Sequence, residues 1–134
     1  VTRMPPRIAC VALVVADYDA AIAFYVERLG FTLRADDDLG GGKRWVVVAP
    51  PGSGAALLLA RADGEAQRAR IGDQTGGRVG FFLETDDFVR DHAAFAARGV
   101  CFLEEPRRET YGTVAVFADL YGNRWDLIEP KRPE

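Results

Sequence analysis

The chain has little of what several common protein chemistries require. Its 134 residues include one histidine, two cysteines and one methionine. A lone histidine, His92, excludes a His-rich zinc site and makes any Ser-His-Asp arrangement depend on that single residue. With only Cys10 and Cys101 as thiols and no apolar signal segment at the start, a disulfide framework has no support, and a reducing, cytoplasmic setting is expected. No apolar window approaches the ~18 residues of a membrane-spanning helix, so no membrane partner is expected. A basic stripe is also missing. Lys and Arg number 17 against 20 Asp and Glu, the net charge is −3, and the basic pairs Arg107-Arg108 and Lys131-Arg132 stand isolated. Such a surface repels a phosphate backbone, and nucleic acid is excluded as an expected partner. The glycines at 40–42, 76–77 and 122 match neither phosphate-cradling fingerprint and read as turn formers.

What is present is a repeated pattern. Val14-Val15-Ala16-Asp17 leads into a helix-like stretch ending at Leu29-Gly30-Phe31, and half a chain later Leu83-Glu84-Thr85-Asp86 leads to Arg98-Gly99-Val100 with the same Asp-to-Gly spacing. Two copies of one supersecondary unit in so short a chain imply that neither buries its apolar face alone, so both pack around a shared core. A chain near this size buries about two-thirds of its unfolded surface, enough for one domain with a real interior. The junction of the halves is a natural place for a cavity.

Residues 7–16 are short and rich in Val, Ile and Ala, which predicts a buried strand. Asp17 sits at a helix N-cap position, with Tyr18, Ile22, Tyr25 and Leu29 at helical spacing and Gly30 as the stop. Strands are expected at 31–35, 43–49 and 55–60, with the acidic, glycine-rich 36–42 as a turn. Residues 61–77 read as a linker crossing the surface, with a short helix around 65–71. The order then repeats: a strand at 78–85, a helix capped by Asp86 or Asp87, a strand at 100–103, and strands at 113–118 and 124–129 around a turn at 119–123. Phe88, His92 and Phe95 mark the apolar face of the second helix, one position out of phase with the first copy, a shift assigned to the doubled Asp86-Asp87.

The stretches from Val14 to Tyr25, Leu29-Gly30-Phe31, and Asp119-Leu120-Tyr121-Gly122-Asn123-Arg124-Trp125-Asp126-Leu127 resemble the vicinal oxygen chelate superfamily, which includes glyoxalase I, extradiol dioxygenases, and fosfomycin and bleomycin resistance proteins. The resemblance runs from about Arg7 to Pro130. It implies an α+β fold in which two βαβββ modules, residues 7–60 and 78–130, form an incomplete mixed-sheet barrel around a cavity, usually within a homodimer. It also implies four ligand positions for a divalent metal that chelates adjacent substrate oxygens. In this chain those positions fall on Cys10, Leu58, Val79 (or Gly80 if Asp87 is the equivalent cap) and Asp126. Leu, Val and Gly side chains have no lone pair to donate, and the remaining thiol and carboxylate prefer different ions. The expectation is no metal and no other cofactor.

Asp126 alternates with Trp125 and Leu127 and is expected to face the cavity, as a general base or an acceptor for a ligand donor. A salt bridge to Arg44 or Arg124 is the structural alternative. Cys10 reads as a nucleophile or, more simply, as a buried small hydrophobe, and Cys101 carries the same second reading. His92 is favoured as a packed structural residue. Glu84, expected on the strand face opposite Val79, joins Glu104, Glu105 and Glu129 as carboxylates explained by solvated faces or ion pairs. Trp45, Tyr111 and Trp125 suit the wall of an apolar pocket for a planar ligand, with core packing or a dimer contact as the alternative.

The ligand-binding set is therefore Cys10, Trp45, Leu58, Val79, Tyr111, Trp125 and Asp126, with Asp126 the candidate catalytic residue. The leading expectation is a metal-free protein that binds a small, planar or apolar molecule, similar to the bleomycin resistance branch. The alternatives are an enzyme of the superfamily, namely a lyase, isomerase or dioxygenase with a rearranged metal site or a metal-free one with Asp126 as base, and a partner-binding module without a cavity.

Overall fold

The computed structural model describes residues 2–52 and 54–133. Strand β1 (Val11–Val15) is followed by helix α1 (Tyr18–Ala23), which widens into a π-helical turn at Phe24–Arg28. Then come β2 (Thr32–Gly40), β3 (Lys43–Ala49), β4 (Leu57–Arg61) and the short α2 (Glu65–Arg68). The second half runs through β5 (Val79–Glu84), α3 (Phe88–Ala97), β6 (Cys101–Phe102), β7 (Arg107–Glu109), β8 (Gly112–Ala118) and β9 (Arg124–Pro130).

Both longer helices begin where an aspartate can accept from a free amide of the first turn. Asp17 Oδ2 accepts from Ala20 N at 2.8 Å, and Asp87 Oδ1 accepts from Arg90 N at 3.1 Å. Asp87 is thus the cap of α3, while Asp86 pairs with the Arg90 guanidinium at 3.0 Å. Glu129 adds a second cap from β9, its Oε1 accepting from Phe88 N at 2.8 Å.

The strands form two sheets of the same plan. In the first the order is β1-β4-β3-β2, and in the second β5-β9-β8-β6, with β7 paired to β8. Within each sheet the leading strand lies parallel to the last strand of its half, and the remaining pairs are antiparallel. The α+β architecture of two βαβββ units is therefore as expected, and the barrel they outline is open.

The sheets are joined by side chains and not by a ladder. Gln74 lies along the free edge of β1, where its Oε1 accepts from Val14 N and its Nε2 donates to Ala12 O, both at 2.8 Å. One amide side chain thus occupies a place a neighbouring strand would take. Gly72 approaches the 119–123 turn so closely that a Cβ there would lie 2.0 Å from the Tyr121 carbonyl oxygen.

One hydrophobic cluster spans both halves, and Trp125 is its hub. Its ring stacks on Phe81 at 4.8 Å and on Phe117 at 5.8 Å, and meets Tyr25 and Phe31 of the first half at 5.8 and 6.0 Å. On α3, Phe88 and Phe95 are buried, and His92 stacks between Phe88 and Phe102. The structural role expected for His92 is the one observed.

Four expectations are corrected. The acidic stretch 36–38 is strand: Asp36, Asp37 and Asp38 pair with Val46, Trp45 and Arg44. Their backbones satisfy the ladder while Asp36 pairs with Arg44 and the carboxylates of Asp37 and Asp38 stay exposed on an edge strand, where charge also discourages pairing with another chain. The turn is confined to Gly41 and Gly42. β7 was not foreseen, because three polar residues show no alternation. A bulge between Val79 and Phe81 absorbs one residue, so the register brings Val79 and Glu84 to the same face instead of opposite faces. Cys101 is exposed, not buried, at the start of the two-residue β6.

Candidate functional site: the cleft between the modules

Because β1 and β5 are edge strands that do not pair, a cleft opens between them. Its volume is about 610 Å³, and Val11, Leu57 and Phe31 of the first half face Phe81, Phe82 and Trp125 of the second. Pro50 and Pro51 also line it. This size is within the range of small-molecule pockets, and its wall is mostly hydrocarbon and aromatic. Phe82 is 61% exposed, an unusual position for a phenyl ring in a strand, and it is available to a ligand or a second protein surface.

Asp126 lies on the strand face beside this ring, with Phe82 opposite it on β5 and Val116 opposite it on β8. It is 9% exposed, and its Oδ1 is buried with no hydrogen-bond partner among the described residues. Neither Arg44 nor Arg124 pairs with it. The nearest influential cation is Arg107, whose guanidinium is held by Glu104 at 2.6 Å and Glu109 at 2.6 Å. Burial pushes the Asp126 carboxyl above its ordinary range, Arg107 pulls it back, and Glu104 raises it again. The result is a sheltered acceptor with one oxygen free, able to take a hydrogen bond from a ligand or a proton from a substrate.

The expected site residues are dispersed. Trp125 and Asp126 are adjacent and so point to opposite faces of β9: the indole is core and wall of the cleft, the carboxylate faces away from it. Trp45 and Leu58 line a different cleft at the far end of the first sheet. Cys10 is half-buried beside Ile8 and Ala56 just before β1. Tyr111 is exposed in the β7–β8 turn, and Val79 begins β5. Sequence reasoning missed Phe82, Phe81 and Phe31. The available signal was the alternation Gly80-Phe82-Glu84 against Phe81-Leu83, which sets one phenylalanine on each face of β5.

Comparison with known proteins agrees with this geometry. The family profile described as Glyoxalase/Bleomycin resistance protein/Dioxygenase superfamily matches residues 7–127. The chain belongs to that superfamily. It is 53% identical to an uncharacterised protein of Shewanella frigidimarina over 94% of this chain and 95% of the relative. Among solved structures it is similar to UcmS2, with a TM-score of 0.80 and 32% identity over 93% of this chain and 98% of that one. It is also similar to TnmS3, an antibiotic binding protein from Streptomyces sp. CB03234, with a TM-score of 0.76 and 31% identity over 97% of this chain and all of that one.

The superfamily's metalloenzymes need four donors, and this chain does not fit that requirement. Leu58 and Val79 offer hydrocarbon, Gly80 at the bulge offers no side chain, and Cys10 and Asp126 are a mismatched soft and hard pair. Among the described residues no three His, Cys, Asp or Glu side chains are grouped so as to hold a metal ion. No helix among the described residues is long and apolar enough to cross a membrane.

Proposed function

We propose that this protein binds a small, planar, largely apolar molecule in the cleft between its two modules, residues 7–60 and 78–130, without a metal or other cofactor. The observation that carries this reading is the aromatic wall of Phe31, Phe81, Phe82 and Trp125 in a superfamily member whose metal-ligand positions hold hydrocarbon. Binding relies on burial of apolar area and ring stacking. Similarity to an antibiotic binding protein supports a planar antibiotic-like compound as the ligand class.

A homodimer is in keeping with the exposed ring of Phe82, which a second copy would cover. Both cysteines are free, in keeping with a cytoplasmic location. The test is a thermal-shift screen of the full chain against aromatic antibiotics, with divalent ions as separate arms. A saturable rise with an aromatic compound, abolished in the Phe82→Ala variant, supports the proposal. One tightly held divalent ion per chain after dialysis, measured by elemental analysis, would overturn it.

A second reading rests on the unpartnered Oδ1 of Asp126, on the face of β9 turned away from the cleft: a metal-free enzyme using this carboxylate as general base for a substrate held on that face. Its mark is turnover of a bound compound that disappears in Asp126→Asn while the fold is retained.

A further inference from the structure

The two modules meet at unlike strand edges. Parallel pairing uses alternate residues of β5: the Thr85 amide donates to the Ile128 carbonyl at 2.9 Å, so Phe81, Leu83 and Thr85 turn their backbone groups to β9. Phe82 and Glu84 therefore turn theirs outward. On β1 two of the corresponding outward groups are occupied, since the Gln74 amide bonds Ala12 O and Val14 N. Those of Phe82 and Glu84 have no partner among the described residues.

This open edge forms part of the cleft between the modules. The cavity touches five consecutive residues, Gly80 to Glu84. Side chains of a strand alternate between its faces, so one cavity meets such a run only along the edge. Phe81 projects to the face where it stacks on Trp125, and Phe82 to the face it shares with Asp126. A flat molecule bonded to the edge lies near the plane of the sheet, with one phenyl ring flanking each of its own faces.

The energetics favour a polar contact at this place. A hydrocarbon guest would strip water from the Phe82 N–H and C=O and leave both unpaired, at a cost that opposes binding. In an extended residue the two groups point the same way, side by side, and a hydrogen-bonded pair in an antiparallel ladder exchanges both bonds at once. An added strand is the poorer occupant. The regular edge is bounded by the bulge between Val79 and Phe81 and by Thr85, already bonded to β9, so only two residues offer outward groups. Resting on the small-molecule reading of this cleft, we propose that its ligand is a planar cyclic amide, whose adjacent C=O and N–H bond the Phe82 N–H and C=O and fix its orientation.

The test titrates the isotope-labelled full chain with 2-quinolone, a planar cyclic amide, and with coumarin, which has the same shape but a ring oxygen in place of the N–H. By NMR, 2-quinolone is expected to move the Phe82 amide proton downfield and saturably, leaving the Val14 amide unmoved. Coumarin should bind about tenfold more weakly, the loss of one hydrogen bond to a carbonyl left unpaired. Phe82→Ala removes the ring and keeps the N–H, whereas Phe82→Pro removes both at an edge position that tolerates proline. Affinity for 2-quinolone should be several-fold lower in Phe82→Pro than in Phe82→Ala. If Phe82→Pro fails to fold by circular dichroism, the two probes on the parent protein decide. Coumarin binding the cleft as tightly as 2-quinolone overturns the cyclic-amide assignment and leaves the small-molecule reading standing. Equal affinity in the two folded variants, no saturable shift at Phe82, or slow hydrogen exchange of the Phe82 amide without probe, which marks an edge already paired, would also overturn it. The wider reading fails only if the thermal-shift screen is blank as well.

Discussion

The Tyr25 hydroxyl donates to Asp119 Oδ2 at 2.7 Å, tying the π-helical turn of the first half to the 119–123 turn of the second. Asp119 is buried and also accepts from the backbone amides of Tyr121 and Asn123 and from Asn123 Nδ2. Burial, then the Asp119 charge, hold the Tyr25 phenol well above its ordinary pKa, so it remains a donor throughout the physiological range. Tyr25→Phe is expected to cost about 2 kcal/mol, since the carboxylate loses one donor in a site water does not reach. Urea denaturation checks this, with a lowered midpoint and an unchanged slope as the expected result.

Asp126 gives a pH signature of opposite sense to most carboxylates. Its folded-state pKa is raised, so the protonated form favours folding: its contribution is fully present below the ordinary carboxylate value of about 4 and is lost as pH rises through the folded value. Asp126→Asn, which stays neutral, is therefore expected to melt a few degrees higher than the parent at pH 7. The gap should close on acidification below about pH 4. Melting curves of both proteins across that range decide it, and an equal gap at every pH would show that titration of this group is not the cause.

Phe82 separates binding from folding. Because its ring is largely in solvent, Phe82→Ala should change stability by less than about 1 kcal/mol. It should weaken an aromatic ligand of the inter-module cleft about tenfold, the cost of losing one ring contact. Parallel denaturation and fluorescence titration with a compound from the thermal-shift screen measure both.

Gly72 takes a positive φ of 75° as well as its close approach to Tyr121. A methyl group there meets backbone, which cannot rotate away. Gly72→Ala is expected to cost at least about 2 kcal/mol, combining left-handed strain with displacement of the 119–123 turn. A melting temperature within a degree of the parent would contradict this account.

The duplication, both helix caps and most strands were legible in the sequence because each has a local cause: Asp17 and Asp87 accept from amides three residues on, and the strands alternate or run apolar. The extent of β2 was not. Asp36, Asp37 and Asp38 resemble a turn by composition, and only their pairing with β3 and the Arg44–Asp36 ion pair make them strand. Asp126 was singled out by the resemblance, which makes its position a ligand position, and by its alternation with Trp125 and Leu127. Its neighbours were not, since Arg107 reaches its surroundings from β7, a strand with no pattern of its own, and Phe82 depends on a bulge that shifts the phase of β5. Leu58 was placed at the site on the strength of the resemblance and Trp45 as a large aromatic on a strand, whereas the fork between β3 and β4 gives them a separate cavity.

The Gln74 amide on the rim of β1 bears on what sets the separation of the two halves. Two neighbouring strands in a ladder are fixed about 4.8 Å apart by repeated backbone bonds, and nothing can be inserted without breaking them. Here the halves meet through a side chain, a few turn contacts and a shared aromatic interior, so no ladder spacing dictates their separation, and the width of the gap is set by the bulk of the rings packed between them, Trp125 against Tyr25 above all.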